Sequence, residues 1–113
     1  MPHGSTGNHQ TALECFRICE ETVAHCLDLG GQHASRDHIT ALLDCAEACA
    51  QMVAFMARQS PLHADVARLC AAACDRCAES CERLGGDDEL MRRCAEICRR
   101  CAEECRAMAG AAA

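Results

Sequence analysis

Apolar positions in this chain recur at offsets of 0, 4, 7 and 11 in four separate stretches. Those offsets keep to one face of an α-helix, whose turn holds about 3.6 residues. The stripes fall at Cys15, Cys19, Thr22 and Cys26; at Cys45, Cys49, Met52 and Met56; at Cys70, Cys74, Cys77 and Cys81; and at Cys94, Cys98, Cys101 and Cys105. Gly30-Gly31, Ser60-Pro61, Gly85-Gly86 and Gly110 interrupt the pattern, and these are residue types that stop or restart helices. Four helices follow. The first is expected to start between Asn8 and Thr11, where Thr11 and Glu14 have the spacing of a capping box, and to stop at Gly30. The second should run from Ser35 to Asp37 at its start to about Gln59. The third takes Ser60 as N-cap with Pro61 as its first residue, and ends at Gly85. Asp87, Asp88 and Glu89 place negative charge at the positive end of the fourth helix dipole, and that helix runs to about Ala109.

Four helices of about 20 residues with short connections predict an all-α fold, an antiparallel up-down-up-down four-helix bundle with a Cys-lined core. At 113 residues the chain makes one domain. Residues 1–9 are expected to be a flexible N-terminal segment, 10–109 the bundle and 110–113 a frayed C-terminus. Trp and Tyr are absent and Phe16 and Phe55 are the two aromatic residues, so Ala and a few aliphatics must flank the sulfur. Phe16, Val23 and Leu27 are expected to face outward, where they could serve a subunit interface.

Composition sharpens the question of what the sulfur is for. Thirteen of 113 residues are Cys, a share above the roughly 8–10% typical of small disulfide scaffolds. The odd count leaves one thiol over in any complete pairing. Residues four apart on a helix hold their Cβ atoms about 5–6 Å apart, beyond the roughly 3.5–4.5 Å a disulfide requires. One buried Cys can be a small hydrophobe; thirteen in one helical phase point to ligands. The net charge of −6, with 11 Arg and no Lys, excludes the basic face that general nucleic-acid binding needs. Charges such as Glu96, Arg99 and Glu103 read as a solvated face with i+3 and i+4 pairs. The start of the chain lacks an apolar run and no stretch approaches a membrane span, so no membrane partner and a cytoplasmic location are expected, where thiols stay reduced. No catalytic constellation stands out.

Thiolates are soft ligands that suit Cu(I), zinc and iron–sulfur clusters. The two Cys-x-x-Cys pairs, Cys74 with Cys77 and Cys98 with Cys101, approach zinc-ribbon spacing but sit inside helical stripes without Gly or Pro. A four-thiolate zinc site keeps a net charge of −2, which is costly to bury repeatedly. One Cu(I) per thiolate leaves the core near neutral and lets the stripe fill along its length. The expected cargo is therefore multiple Cu(I) ions, roughly one per Cys, with a zinc- or cadmium-binding or thiol-redox module as the alternative. Antiparallel helices gather Met56, His63 and Met108 at one end, with Met52 about a turn deeper. The other end collects Cys26, His33, His38, Cys81, Met91 and Cys94. Thioethers and neutral imidazoles, present at both ends, bind Cu(I) more weakly than thiolates, as an entrance would; the sequence leaves open which end admits copper.

The striped helices, above all Cys70-x-x-x-Cys74-x-x-Cys77-x-x-x-Cys81 and its copy at Cys94 to Cys105, resemble those of the bacterial copper storage proteins. The resemblance spans residues from about 10 to 109. It implies a four-helix bundle holding many Cu(I) ions, assembly into a homotetramer, and copper kept for later use or kept harmless. Copper chaperones or low-molecular-weight copper chelators would then be its partners. By motif match all 13 cysteines would be ligands.

Overall fold

A computed structural model describes the backbone of residues 3–112 and the side chains of residues 10–110. Helix α1 spans His3–Leu29, α2 Arg36–Ala57, α3 His63–Gly85 and α4 Glu89–Ala112, with a 3-10 turn at Gly31–Ala34 between the first two. No strand occurs among the described residues. Helix α1 begins ahead of the expected start, so Thr11 lies within it and is buried instead of capping it. The expected flexible and frayed segments, 1–9 and 110–113, fall largely outside the described side chains.

Each boundary has a local cause. Gly30 leaves α1 with φ 75° and ψ −166°, a conformation open to Gly and strained for other residues. Ser35 caps α2, its Oγ accepting from the His38 amide at 3.4 Å. Ser60 does not cap α3 directly; Oγ accepts from the Leu62 amide at 3.1 Å, and Ser60-Pro61-Leu62 turn before the helix opens at His63. Asp88 caps α4, with Oδ1 accepting from the Met91 amide at 2.9 Å. Its Oδ2 meets His25 Nε2 at 2.6 Å, which ties the start of α4 to the end of α1.

Side-chain pairings show how the helices run. On α1 and α2, Cys15 meets Cys45 at 3.7 Å while Cys26 meets His38 at 3.3 Å, so one sequence rises as the other falls. The same reversal holds between α2 and α3, through Cys45 with Cys74 at 3.5 Å and Cys49 with Cys70 at 3.7 Å. It recurs between α1 and α4, through Cys15 with Cys98 at 3.7 Å and Cys19 with Cys94 at 3.9 Å. Arg99 reaches Glu82 at 2.9 Å and Arg106 reaches Asp75 at 2.7 Å, giving the same sense to α3 and α4. The helices thus form a ring in the order α1, α2, α3, α4, within an envelope of 44 × 21 × 19 Å.

The core consists of all thirteen cysteines with Leu42, Met52, Met91, Ile18, Val66, Ile97 and a set of alanines. Small Ala side chains, among them Ala46, Ala67, Ala78 and Ala102, are buried beside the sulfur and let the backbones approach. Phe16 and Val23, expected outside, are partly buried against this core, whereas Leu27 is exposed. Arg99 does not pair with Glu96 or Glu103 along its helix; its guanidinium fork spans to Asp75 and Glu82 on α3. Helix α2 is long and apolar enough to cross a membrane by length and composition, contrary to the expectation that no stretch is. Its Ala and Cys content produces that result, and here its apolar face lies in the bundle core.

Asp88 carries a measurable share of this architecture. Replacing it by Ala removes an N-cap, which costs about 0.5–2 kcal/mol. The hydrogen bond from His25 holds the Asp88 carboxyl below its ordinary range, outweighing partial burial. A depressed native value means the stabilisation is present above the ordinary Asp value of about 3.9 and is lost as pH falls through the native one. Urea unfolding of the reduced protein should therefore show Asp88→Ala destabilised at pH 7, with the gap to the parent narrowing below about pH 4.

Candidate metal centre

All thirteen cysteines are buried and unpaired. Their sulfur contacts lie between 3.5 and 3.9 Å, far outside the roughly 2.05 Å of a disulfide bond. Four groups of four bring every Sγ within 4.8 Å of the others: Cys49, Cys70, Cys74 and Cys101; Cys15, Cys45, Cys49 and Cys74; Cys15, Cys19, Cys45 and Cys98; and Cys19, Cys77, Cys94 and Cys98.

In this order the quartets climb the bundle, and each shares two sulfurs with the next. Cys49 and Cys74 join the first two, Cys15 and Cys45 the second and third, Cys19 and Cys98 the third and fourth. Every quartet also contains one Cys-x-x-x-Cys pair from a single helix and one cysteine from each of two others. The pair comes from α3, then α2, then α1, then α4. That is the order of neighbours around the ring, so the sulfur winds about the axis as it rises. Helical i, i+4 spacing supplies each pair, and the antiparallel register supplies the rest.

Ten cysteines belong to quartets; Cys105, Cys81 and Cys26 extend the line. Cys105 lies beyond Cys101 at the Met end, and its thiol is pushed up by contact with Cys101 and Cys70 and by burial. Cys81 lies at the opposite end, pushed up by Cys77 and Cys94 and by burial. Burial raises Cys26 to about 11, with the Asp88 carboxylate adding to it. These thiols hold their protons near neutral pH, so a monovalent cation entering such a site replaces one positive charge with another. The charge at that site then stays unchanged.

Thr22, the interruption in the α1 stripe, is fully buried and donates its hydroxyl to the Ile18 carbonyl at 2.7 Å. Met52 is buried in the core; Met56, His63 and Met108 are half-buried at the same end of the bundle. His63 Nδ1 sits 2.9 Å from the Ser60 carbonyl oxygen, the geometry of a donated hydrogen bond. At the other end Met91 and His38 are completely buried. The expected ligand set omitted His38, whose Nε2 is 3.3 Å from Cys26 Sγ and whose Nδ1 is 2.6 Å from Ser80 Oγ. The signal was available: His38 stands seven residues before Cys45, two turns back along the same stripe.

A closed bundle with a continuous, reduced, buried line of thiols is a container for soft metal ions. The sequence profile of the copper storage protein family matches residues 3–110. The chain belongs to that family. Its fold is similar to that of the Nmul_A1745 protein from Nitrosospira multiformis, 37% identical, with a TM-score of 0.91 over 98% of this chain and 99% of that one. It is also similar to the Cu(I)-bound copper storage protein BsCsp3, 31% identical, with a TM-score of 0.86 over 94% of this chain and 98% of that one. The apo form of copper storage protein 3 from Bacillus subtilis gives 31% identity and a TM-score of 0.83, covering 93% and 98%. An uncharacterized cysteine-rich protein of Bacillus subtilis strain 168, YhjQ, is 32% identical over 66 residues, which span 58% of this chain and 61% of that protein.

The caps and the Ala packing that hold the sulfurs in register involve no metal. Far-UV circular dichroism of the reduced, metal-free protein should therefore be strongly helical and change little on loading. Titration with a thiol reagent in denaturant should count thirteen free thiols. A coil spectrum without metal, or a deficit of thiols in protein kept reduced, would contradict the structure.

Proposed function

We propose that this chain stores and buffers Cu(I), holding many ions on cysteine thiolates inside the bundle. The observation that carries the reading is the shared-sulfur line: quartets that overlap by two sulfurs cannot act as separate sites, yet they suit ions that bridge. Cu(I) takes thiolates in pairs and threes, so neighbouring ions can share a sulfur and pass from one position to the next. All thirteen cysteines serve as ligands in this reading, and the capacity is roughly one Cu(I) per Cys. Met52, Met56, His63 and Met108 form the weaker-binding mouth where ions enter and leave. Membership of the copper storage family and likeness to a Cu(I)-bound relative support the choice of metal. The protein acts as a store and not as an enzyme.

The chain works in the cytoplasm as a homotetramer, exchanging copper with chaperones or low-molecular-weight chelators. Reduced thiols fit that compartment. Exposed Leu13, Leu27, Leu43 and Leu69 supply apolar surface for association. A net charge of −6 suits neither nucleic acid nor anionic lipid.

One observation favours a second reading. A tetrahedron with metal–sulfur bonds of about 2.3 Å has edges of about 3.8 Å, so each quartet could also hold Zn²⁺ or Cd²⁺. Anaerobic titration separates the two. Cu(I) uptake should continue to about one ion per cysteine, with the ions of the all-sulfur interior resisting chelator competition. Saturation at about three or four ions, with Zn²⁺ or Cd²⁺ preferred, would overturn copper storage in favour of zinc-type tetrathiolate binding.

A further inference from the structure

Beyond the quartets, at the end of the bundle opposite Met56 and Met108, the sulfur line stops at Cys26. There the neighbouring donor is nitrogen. Cys26 and His38 are fully buried, and His38 Nε2 lies 3.3 Å from Cys26 Sγ. On the far side of the ring Nδ1 lies 2.6 Å from the hydroxyl oxygen of Ser80, itself buried. Three helices meet in this cluster: Cys26 from α1, His38 from α2 and Ser80 from α3.

The arrangement fixes which nitrogen faces the sulfur. Nε2 lies toward Cys26 Sγ and Nδ1 toward Ser80 Oγ, so one side of the ring is held by the hydroxyl while the other meets the thiol. A ring oriented by a hydrogen bond at one nitrogen, with the other aimed at a cysteine sulfur, is the arrangement of a metal-ligating histidine with its supporting partner. With zinc bond lengths as a yardstick, an ion between thiolate and imidazole holds sulfur and nitrogen about 3.5 Å apart at a tetrahedral angle, and farther at wider angles. From 3.3 Å the two side chains part by a few tenths of an ångström for a tetrahedral angle and by about 1 Å for a linear two-coordinate ion, a shift within reach of side-chain rotation.

We infer that Cys26 and His38 form a mixed sulfur–nitrogen Cu(I) site that terminates the thiolate line, with Ser80 as the residue that positions the imidazole. The inference rests on the copper-storage reading and adds a ligand of a different kind at a defined end. On loading, Cu(I) bonds to Cys26 Sγ and His38 Nε2, the S–H bond breaks, and its proton leaves to solvent. No electron is transferred and the charge of the cluster is unchanged. A nitrogen donor there gives the last ion a weaker hold than the all-sulfur positions give theirs, so the line ends in a position that differs chemically from its interior.

Cu(I) is a closed-shell ion, so nitrogen NMR can read the site directly. The experiment follows the imidazole nitrogens of the full, reduced chain during anaerobic Cu(I) titration. The expected result is a large displacement of the His38 Nε2 resonance as the protein fills, with Nδ1 still protonated. In Cys26→Ser the displacement should be lost or greatly reduced, and His38→Phe should hold one ion fewer against a competing chelator. Copper uptake near one ion per cysteine with Nε2 unmoved would overturn this inference and leave storage intact. Failure to take up Cu(I) would overturn both. The parent protein supplies the deciding resonance even if a variant does not fold.

Discussion

Close approach of the helix backbones is the constraint on which this molecule depends. A cysteine side chain is short, so sulfurs from facing helices come within 4 Å only if little else separates the backbones. Ala46, Ala67, Ala78 and Ala102 supply that condition from positions beside the stripes. A bundle cored with Leu and Phe would hold its helices farther apart and scatter the thiols. The near absence of aromatic residues therefore belongs to the same solution as the abundance of Cys. Stability must then come from many small buried surfaces, from the caps at Ser35 and Asp88, and from the Arg99 and Arg106 bridges to α3.

Close approach alone does not give a line; register does. Because each helix repeats the 0, 4, 7, 11 spacing and neighbours run in opposite directions, the same spacing meets itself at successive heights. The Cys-x-x-x-Cys pair moves from α3 to α2, α1 and α4, and adjoining quartets overlap by two sulfurs. Overlap turns a set of quartets into one continuous line. Under the proposed storage function, an ion would pass along the axis by exchanging one sulfur at a time.

Much of this was legible in the sequence, for a physical reason. Helical phase is a local property, so the buried face of each stripe could be read from Cys15 to Cys105 without knowing what it faced. The Gly30 break and the acidic start of α4 were legible for the same reason, since caps act within one turn. What escaped depended on register between helices. Arg99 sits at i+3 from Glu96 and i−4 from Glu103, yet it reaches across to Asp75 and Glu82, a choice that only the spacing of α3 and α4 decides. Thr11 has the spacing of a cap but lies in the interior of a helix that begins at His3. Phe16 and Val23 lie off the sulfur phase and still pack against the core, because a narrow bundle offers partial cover to flanking positions as well.

His38 shows the same limit within the site itself. It shares the α2 stripe, but a histidine two turns before the first cysteine of its helix is ambiguous while its neighbours are unknown. Ser80 is still less conspicuous, an unremarkable polar residue beside Cys81. Only the antiparallel meeting of α1, α2 and α3 places the ring between a thiol and a hydroxyl. The two ends of the bundle consequently differ in more than composition. One is lined by half-buried Met56, His63 and Met108. The other is closed by Met91, His38 and the His25–Asp88 contact. The asymmetry of the molecule therefore arises from side chains at its two termini acting on an otherwise repetitive sulfur core.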